Sequence, residues 1–158
     1  MNILVLCTGN SARSILLESL LTHLSDGRVS SFSAGSQPAG QVNPHAIALL
    51  KKKGHETGDF RSKSWDEFGA EGAPIMDIVI TVCGSAAAET CPMWPGAPLR
   101  AHWGVEDPAA AAPDQAAAAF TIAFDILQRR ATAFLQGPIE AMERTNLQTH
   151  LATCGAVA

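Results

Sequence analysis

Five residues separate Cys7 from Arg13, and the loop Thr8, Gly9, Asn10, Ser11, Ala12 between them is built of small and turn-forming residues. The apolar run Ile3 to Leu6 precedes the cysteine, and apolar positions at helical spacing follow the arginine, which predicts a strand, a tight loop and a helix. Loop N–H groups and a helix N-terminus attract negative charge, and an arginine can bind two oxygens at once. The same positive field is expected to lower the pKa of Cys7 and to populate its thiolate.

This segment therefore predicts an oxyanion cradle with a nucleophile at its base, in which bound oxyanion and thiolate are in contact. The alternative is a buried cysteine that precedes an ordinary turn. The oxyanion-binding residues predicted in this way are Thr8, Gly9, Asn10, Ser11, Ala12 and Arg13.

The elements that must position this loop follow from the apolar pattern of the rest of the chain. Three more strands are predicted, and helices are expected between and after them. Asn43 is the predicted N-cap of a helix that begins at Pro44, and Pro138 is the predicted start of the last helix. The further predicted strands are Val29 to Ser33, Asp77 to Val82 and Leu99 to Trp103, and the predicted helices begin at Arg13, Pro44, Asp114 and Pro138.

This alternation predicts an α/β fold, with one domain over residues 1–158 and an open four-stranded parallel sheet carrying helices on both faces. Ligands of such sheets bind beyond the carboxyl ends of the strands. Cys7 and Cys83 both follow apolar strands and are therefore expected at that edge.

Composition excludes several classes of function. The 158 residues carry a formal net charge of −4, and no basic cluster exceeds Lys51 to Lys53, so a nucleic-acid or anionic-membrane surface is not expected. No apolar stretch reaches the roughly 20 residues that span a bilayer, and the first residues do not resemble a secretion signal. We expect a cytoplasmic protein, and a monomer because no long exposed apolar stripe is evident.

The motifs resemble those of the low-molecular-weight protein tyrosine phosphatase superfamily. The segments that carry the resemblance are CTGNSARS at 7–14, FSAG at 32–35 and VNPHAI at 42–47. ITVC at 80–83, Cys91-Pro92, His102-Trp103-Gly104 and Asp107-Pro108-Ala109 are similar to the arsenate reductases of that superfamily, which are recycled through internal cysteines. The resemblance runs from about residue 2 to the region of Phe120, and it implies reduction of arsenate to arsenite.

Reduction requires a route for two electrons. Attack of the Cys7 thiolate joins sulfur to arsenic, and a second thiol that attacks this sulfur releases arsenite and leaves a disulfide. Cys83, at the end of a neighbouring strand, is placed for that step, and Cys91 can then form a Cys83–Cys91 disulfide open to an external reductant. Were the intervening segment helical, the two Cα atoms would lie about 12 Å apart, whereas a disulfide needs roughly 4.4–6.8 Å. The segment is therefore expected to loop out on oxidation.

Two other interpretations of Cys83 and Cys91 stay open, namely small buried side chains and a zinc site, although Cys-x7-Cys matches no common zinc spacing. By resemblance, Asp107 is the general acid and Ser14 donates its hydroxyl to the Cys7 thiolate. The chain contains no tyrosine, which disfavours the aromatic substrates of the phosphatases. Ala12 stands where many relatives have a further cysteine.

This chemistry requires no cofactor. By resemblance, four residues can surround a monovalent cation such as potassium. The alternative, which stays open, is that they brace the loop by hydrogen bonds. These residues are Asn10, Glu18, Ser33 and Asp66. Cys154 has no counterpart in the family, and we interpret it as a free thiol of the C-terminal tail.

The primary hypothesis is thus an arsenate reductase that phosphate or sulfate can inhibit as competing oxyanions. The alternatives are a phosphatase of the same fold and an oxyanion-binding redox sensor that does not turn over. Two resolving cysteines favour thioredoxin as the reductant, while glutaredoxin with glutathione, or another small thiol, stays open.

Overall fold

All four strands of the sheet are parallel. The computed structural model describes residues 1–88 and 92–158. Its strands are β1 (Asn2–Cys7), β2 (Ser30–Gly35), β3 (Ile78–Thr81) and β4 (Leu99–His102), in the spatial order β2-β1-β3-β4. The predicted parallel sheet is confirmed, and each strand begins and ends within two residues of the expected position.

Five α-helices are present in the described part of the chain: α1 (Arg13–Leu24), α2 (Pro44–Lys52), α3 (Gly84–Ala88), α4 (Ala116–Gln136) and α5 (Arg144–Gly155). Asn43 caps α2 as predicted, because its side chain accepts a 2.9 Å hydrogen bond from the N–H of His45. The shorter 3₁₀ turns lie at Trp65–Phe68, Pro108–Ala110 and Pro113–Gln115. No helix in the two described stretches is long and apolar enough to cross a membrane.

The prediction that the last helix begins at Pro138 is wrong. Residues 139–141 form a turn, and α5 begins only at Arg144. The cause is Arg28, whose guanidinium donates to the carbonyls of Leu135 (2.6 Å) and Gly137 (2.9 Å) at the end of α4 and also binds the Glu140 carboxylate. These contacts satisfy the C-terminal carbonyls of α4 and hold the following turn in place.

Strand alternation divides the core between the two faces of the sheet. Ile3 and Val5 of β1, with Ile78 and Ile80 of β3, pack against α1, α2, α4 and α5. On the opposite face, the side chains that meet Leu4, Leu6 and Val79 include Phe68 of a 3₁₀ turn, Met76 and Trp94. The long helices therefore share one face, while the second face is covered mainly by shorter segments. Burying a large apolar side chain contributes about 1.5–3 kcal/mol.

Candidate active site

The loop from Cys7 to Arg13 lies at the carboxyl edge of the sheet, as the sequence predicts. Cys7 is the last residue of β1 and Arg13 is the first residue of α1. Gly35, the last residue of β2, pairs with Cys7, and a Cβ at position 35 would collide with the Thr8 carbonyl and lie 3.0 Å from the Cys7 carbonyl. Only glycine lets β2 approach the loop this closely.

Hydrogen bonds turn the loop carbonyls outward. The carbonyls of Thr8, Gly9 and Ser11 accept from the N–H groups of Gln37 (3.0 Å), Ala39 (2.8 Å) and Asn43 (2.9 Å). The backbone N–H groups of residues 9–12 donate to no backbone carbonyl among the described residues. Backbone N–H groups without carbonyl partners are the donors that an oxyanion needs.

Asn10 braces the loop from within. It is fully buried and adopts a φ of 45°, a left-handed conformation that asparagine tolerates better than most residues. Its amide nitrogen donates to the hydroxyls of Ser14 and Ser33, each at 2.9 Å. Its amide oxygen accepts from the Lys63 N–H at 2.9 Å. Three segments of the fold, at Ser14, Ser33 and Lys63, thus fix one side chain of the loop.

Ser14 takes part in this bracing rather than in a contact with Cys7. Its buried hydroxyl accepts from Asn10, and no bond to the Cys7 sulfur occurs among the described residues. The donation to the Cys7 thiolate implied by the resemblance stays a prediction.

Glu18 ends the same hydrogen-bonded chain. Ser33 donates to its carboxylate in a short hydrogen bond, and burial raises the pKa of Glu18, while Ser33 and Lys63 act in the opposite direction. Burial also lowers the pKa of the Lys63 ammonium, and the charge of Glu18 opposes that effect. Lys63 was not predicted from sequence, because nothing in the local pattern links it to a glutamate on α1.

Three of the four residues predicted to surround a cation are joined by hydrogen bonds, and Asp66 is not part of that chain among the described contacts. Asn10, Ser33 and Glu18 form one hydrogen-bonded chain. Asp66 is exposed on the 3₁₀ turn Trp65–Phe68, where its N–H donates to Ser64 at 3.1 Å. The described residues hold no group of three or more His, Cys, Asp or Glu side chains arranged for a metal. The cation and the part of Asp66 in binding it therefore stay predictions.

Arg13 contacts the segment around Asp107, and one buried nitrogen of its guanidinium has no partner among the described residues. Its Nη1 donates to the Val105 carbonyl at 3.0 Å, and its Nη2 lies 3.7 Å from Oδ2 of Asp107. Its Nε is buried and has no hydrogen-bond partner among the described residues. A buried donor without a partner is costly unless a ligand binds it, so the site is arranged to receive an acceptor oxygen.

Asp107 stands at the mouth of the site opposite Arg13. Its Oδ1 accepts a 3.0 Å bond from the Ala109 N–H, which caps the 3₁₀ turn that begins at Pro108. This cap leaves Oδ2 directed to the Arg13 guanidinium, with 43% of the side chain exposed. A carboxyl in this position can exchange protons with solvent and with a leaving oxygen.

Cys83 lies beside Cys7, and the two thiols form a coupled pair. The Cys83 sulfur lies 3.6 Å from the Thr8 hydroxyl and accepts from the Ala86 N–H at 3.4 Å. The hydrogen bond with Cys7 is the main cause that lowers the pKa of Cys83 to about 5, with the Ala86 N–H and Thr8 adding to it. That same bond, followed by burial, raises the pKa of Cys7, although Arg13 and the Gly9 N–H lower it.

Arg13 and the Gly9 N–H act on Cys7 as expected, since both lower its pKa, but the bond with Cys83 and burial outweigh them in the ligand-free site. The neighbouring sulfur, which sequence reasoning did not weigh, reverses the direction. Two hydrogen-bonded thiols titrate as a unit, and the first negative charge of this unit resides on Cys83. Passing one proton from Cys7 to Cys83 moves that charge to the nucleophile.

The two remaining cysteines lie elsewhere. Cys91 falls outside the described residues, so its predicted role as the second resolving thiol has no geometry here. Cys154 is free, as predicted, but it is buried in α5, 3.8 Å from the ring nitrogens of His150, and burial raises its pKa. It packs on the helical side of the core, apart from the loop.

Comparison with known proteins identifies the family of this arrangement. The family model "Low molecular weight phosphotyrosine protein phosphatase" matches residues 2–148. An arsenate reductase of Bacillus subtilis strain 168 is 37% identical over 106 residues, which are 67% of this chain and 73% of that protein. An arsenate reductase of Bacillus licheniformis is 40% identical over 107 residues, with the same shares of the two chains.

Solved structures agree at the level of the fold. The chain resembles an arsenate reductase in the phosphate binding state with a TM-score of 0.70 and 24% identity, over 85% of this chain and 96% of that one. The tyrosine phosphatase Wzb from Escherichia coli K30 in complex with sulphate gives a TM-score of 0.68 at 21% identity, with the same coverage. The chain therefore belongs to the low molecular weight phosphotyrosine protein phosphatase family, within which it groups with the arsenate reductases.

Proposed function

We propose that this protein reduces arsenate to arsenite, with Cys7 as nucleophile and Cys83 as the first resolving thiol. The observation that carries the proposal is a second thiol at the base of the oxyanion loop, where the Cys83 sulfur lies 3.6 Å from the hydroxyl of Thr8, the residue after the nucleophile. A phosphatase needs only the nucleophilic sulfur. A reductase of this kind also needs a second thiol, which forms a disulfide with the nucleophile when arsenite leaves. Relatives named arsenate reductases support the same assignment.

In the first step, arsenate binds to the loop N–H groups and to the free Nε of Arg13. Proton transfer from Cys7 to Cys83 supplies the attacking thiolate, and the Cys7 sulfur then bonds to arsenic. One arsenate oxygen leaves as water, and Asp107 is the proposed acid that protonates it. The product is a Cys7 adduct of arsenic in the +5 state.

In the second step, Cys83 gives up its proton to the departing arsenite or to solvent, and its sulfur attacks the Cys7 sulfur. The electron pair of the sulfur–arsenic bond passes to arsenic, which leaves as arsenite in the +3 state, and a Cys7–Cys83 disulfide forms. Attack of Cys91 on Cys83 would then restore the Cys7 thiolate and leave a Cys83–Cys91 disulfide. An external thiol reductant, thioredoxin or glutaredoxin with glutathione, returns the two electrons. Because the cycle needs free thiols at rest, we also propose the reducing cytoplasm as its location.

The second candidate is a phosphatase of the same fold. The oxyanion loop and the Arg13–Asp107 pair would serve phosphate ester hydrolysis equally well, and a tyrosine phosphatase is among the structural neighbours. The coupled Cys83 thiol has no part in that reaction, and the chain offers no tyrosine to hold an aromatic substrate.

The discriminating experiment follows arsenate-dependent NADPH oxidation with thioredoxin and thioredoxin reductase. Wild type, Cys83→Ser and Cys91→Ser are compared, with Cys154→Ser as a matched control, because Cys154 lies outside the site. We expect turnover in wild type and Cys154→Ser, turnover abolished in the other two, and weak aryl phosphate hydrolysis in all four. Fast hydrolysis of aryl phosphate without arsenate turnover would favour the phosphatase, and a single stoichiometric oxidation would favour the redox sensor.

A further inference from the structure

A cavity of about 570 Å³ lies between α1, the start of β2 and residues 55–60, which follow α2. Its volume falls within the roughly 300–1,000 Å³ of typical ligand pockets. All of its lining residues belong to the described part of the chain, and none of the proposed catalytic residues is among them. The proposed reduction therefore gives this cavity no role.

The cavity is acidic. Three carboxylates line it, that of Glu18 on α1 and those of Glu56 and Asp59 after α2. No lysine or arginine is among its lining residues, and no ion pair in the two described stretches includes any of the three carboxylates. The charges of Lys63 and Arg61 act on Glu18 only from beyond ion-pair distance. Because Glu18 is partly buried without a cation in contact, the cavity favours a positively charged ligand.

A buried histidine lines the same cavity. His55 is 8% exposed, and its Nδ1 forms a 2.7 Å hydrogen bond with the hydroxyl of Ser19. Its ring stacks on that of His23, with 3.9 Å between the ring centroids and 13° between the ring planes. The hydrogen bonds of the described residues leave Nε2 of His55 without a partner. This nitrogen is therefore a polar group, independent of the carboxylates, that the cavity offers to a ligand.

The lining suits an elongated organic cation better than a metal ion. The His, Cys, Asp and Glu side chains of the described residues form no group of three or more that could hold a metal. Instead, carboxylates from separate segments share the lining with aromatic faces, namely the rings of His23, His55 and Phe60. Aromatic faces pack against methylene chains, and carboxylates bind ammonium groups. A molecule with both features is a linear amine with a charge at each end.

We propose that this cavity binds a linear di- or polyamine, of the putrescine and spermidine class, and that the bound amine strengthens oxyanion binding by the loop. Glu18 connects the two sites, because Ser33 donates to its carboxylate and accepts a 2.9 Å bond from Asn10 of the loop. An ammonium group beside Glu18 stabilises the ionised carboxylate, which holds the Ser33 hydroxyl in position to accept from Asn10. The inference requires only the oxyanion loop and holds for a reductase and a phosphatase alike.

Calorimetry on the full chain tests the proposal by measuring the binding of putrescine and spermidine, each with and without phosphate. For the wild type we expect saturable binding of one amine per chain. We expect the affinity for phosphate to rise about fivefold when the cavity is filled, the lower end of the usual coupling between two sites. Because coupling is reciprocal, phosphate should raise the affinity for the amine by the same factor. KCl at equal ionic strength and uncharged 1,4-butanediol should reproduce neither effect.

Variants of the cavity separate it from the loop. Glu56→Gln and Asp59→Asn each remove one exposed carboxylate and are expected to weaken amine binding about tenfold, the loss of one charge-assisted contact. Their affinity for phosphate without amine should equal that of the wild type. Glu71→Gln is the matched control, because Glu71 is exposed and does not line the cavity, and it should change neither affinity. Glu18→Gln should abolish the effect of the amine on phosphate binding.

Equal amine affinity in wild type, Glu56→Gln and Asp59→Asn would overturn the assignment of the cavity. Amine binding that leaves phosphate affinity unchanged would overturn the coupling. An equal effect of KCl would indicate screening or an alkali ion beside Glu18 and would overturn the inference as well. No part of this test uses arsenate, so its failure is distinguishable from a failure of the proposed reduction.

Discussion

At the residue scale, the location of negative charge between Cys7 and Cys83 governs the chemistry. The ligand-free pair places its first charge on Cys83, because the hydrogen bond from Cys7 and the N–H of Ala86 both stabilise that thiolate. Cys7 then becomes nucleophilic only when it passes a proton to its neighbour. In the ligand-free site this arrangement favours the protonated form of the buried nucleophile.

Alkylation of the ligand-free protein tests this distribution of charge. Since thiolates react and thiols do not, modification of Cys83 by iodoacetamide should rise with pH around an apparent pKa of about 5. In Cys7→Ala the largest cause of the lowering is lost, so the pKa of Cys83 should rise towards about 8.5 and the reaction at pH 6 should slow. Peptide mapping by mass spectrometry follows both sites. Faster modification of Cys7 than of Cys83 at pH 6 would contradict the assignment.

Asn10 offers a second test at this scale, through a pair of substitutions. Asn10→Gly keeps the left-handed backbone at φ 45° accessible but removes three hydrogen bonds, and Asn10→Ala removes the bonds and also strains the backbone. Each should lower the free energy of unfolding by about 1–3 kcal/mol, with alanine the worse of the two. Urea unfolding measures the difference, and equal stability of wild type and Asn10→Ala would show that the network does not brace the loop.

At the scale of elements, the geometry of the oxyanion loop depends on the close approach of β2. Gly35→Ala places a methyl group against the Thr8 and Cys7 carbonyls, whereas Gly58→Ala, the matched control, meets no atom within 4 Å. Overpacking of this kind costs about 1–3 kcal/mol. We therefore expect lower thermal stability and displaced loop geometry, with weakened oxyanion binding, for the first substitution alone. Phosphate binding measured by calorimetry checks this, and unchanged affinity in Gly35→Ala would argue against a rigid loop.

The elements also show what sequence can and cannot predict. The runs Ile3 to Leu6 and Asp77 to Val82 predicted β1 and β3 because buried parallel strands are continuously apolar. The start of α5 was missed because the turn before it depends on Arg28, more than a hundred residues away along the chain. Local sequence patterns do not predict a contact between residues so far apart in the chain.

At the scale of the whole molecule, Trp103 ties several parts of the fold together. It is fully buried just after β4, its Nε1 donates to the Leu151 carbonyl of α5 at 3.0 Å, and its ring meets Phe134 of α4 edge-on. Trp103→Ala should lower the free energy of unfolding by about 3–5 kcal/mol, a large share of the 5–15 kcal/mol typical of a domain. Met93→Ala, at a position 95% exposed, should change it little. Comparable losses in the two variants would contradict this packing.

The arrangement of the strands in the whole fold explains how much of the site could be predicted from the sequence. Cys7, Arg13 and Cys83 were expected at one edge because parallel strands present their carboxyl ends together, and the structure brings them there. The direction in which the pKa of Cys7 is shifted depends on contacts between distant segments, and so does the hydrogen bond between Lys63 and Asn10. Residue types alone do not encode such contacts. Asp66 has a side chain suited to binding a cation, but the sequence could not show that the fold leaves it exposed.

The most direct test of the central claim is a single turnover of Cys91→Ser with arsenate and no added reductant. Without Cys91 the reaction should stop after the second step, so we expect stoichiometric release of arsenite together with a Cys7–Cys83 disulfide found by non-reducing peptide mapping. Retention of arsenic on the protein, or arsenite release with both Cys7 and Cys83 still reduced, would contradict it.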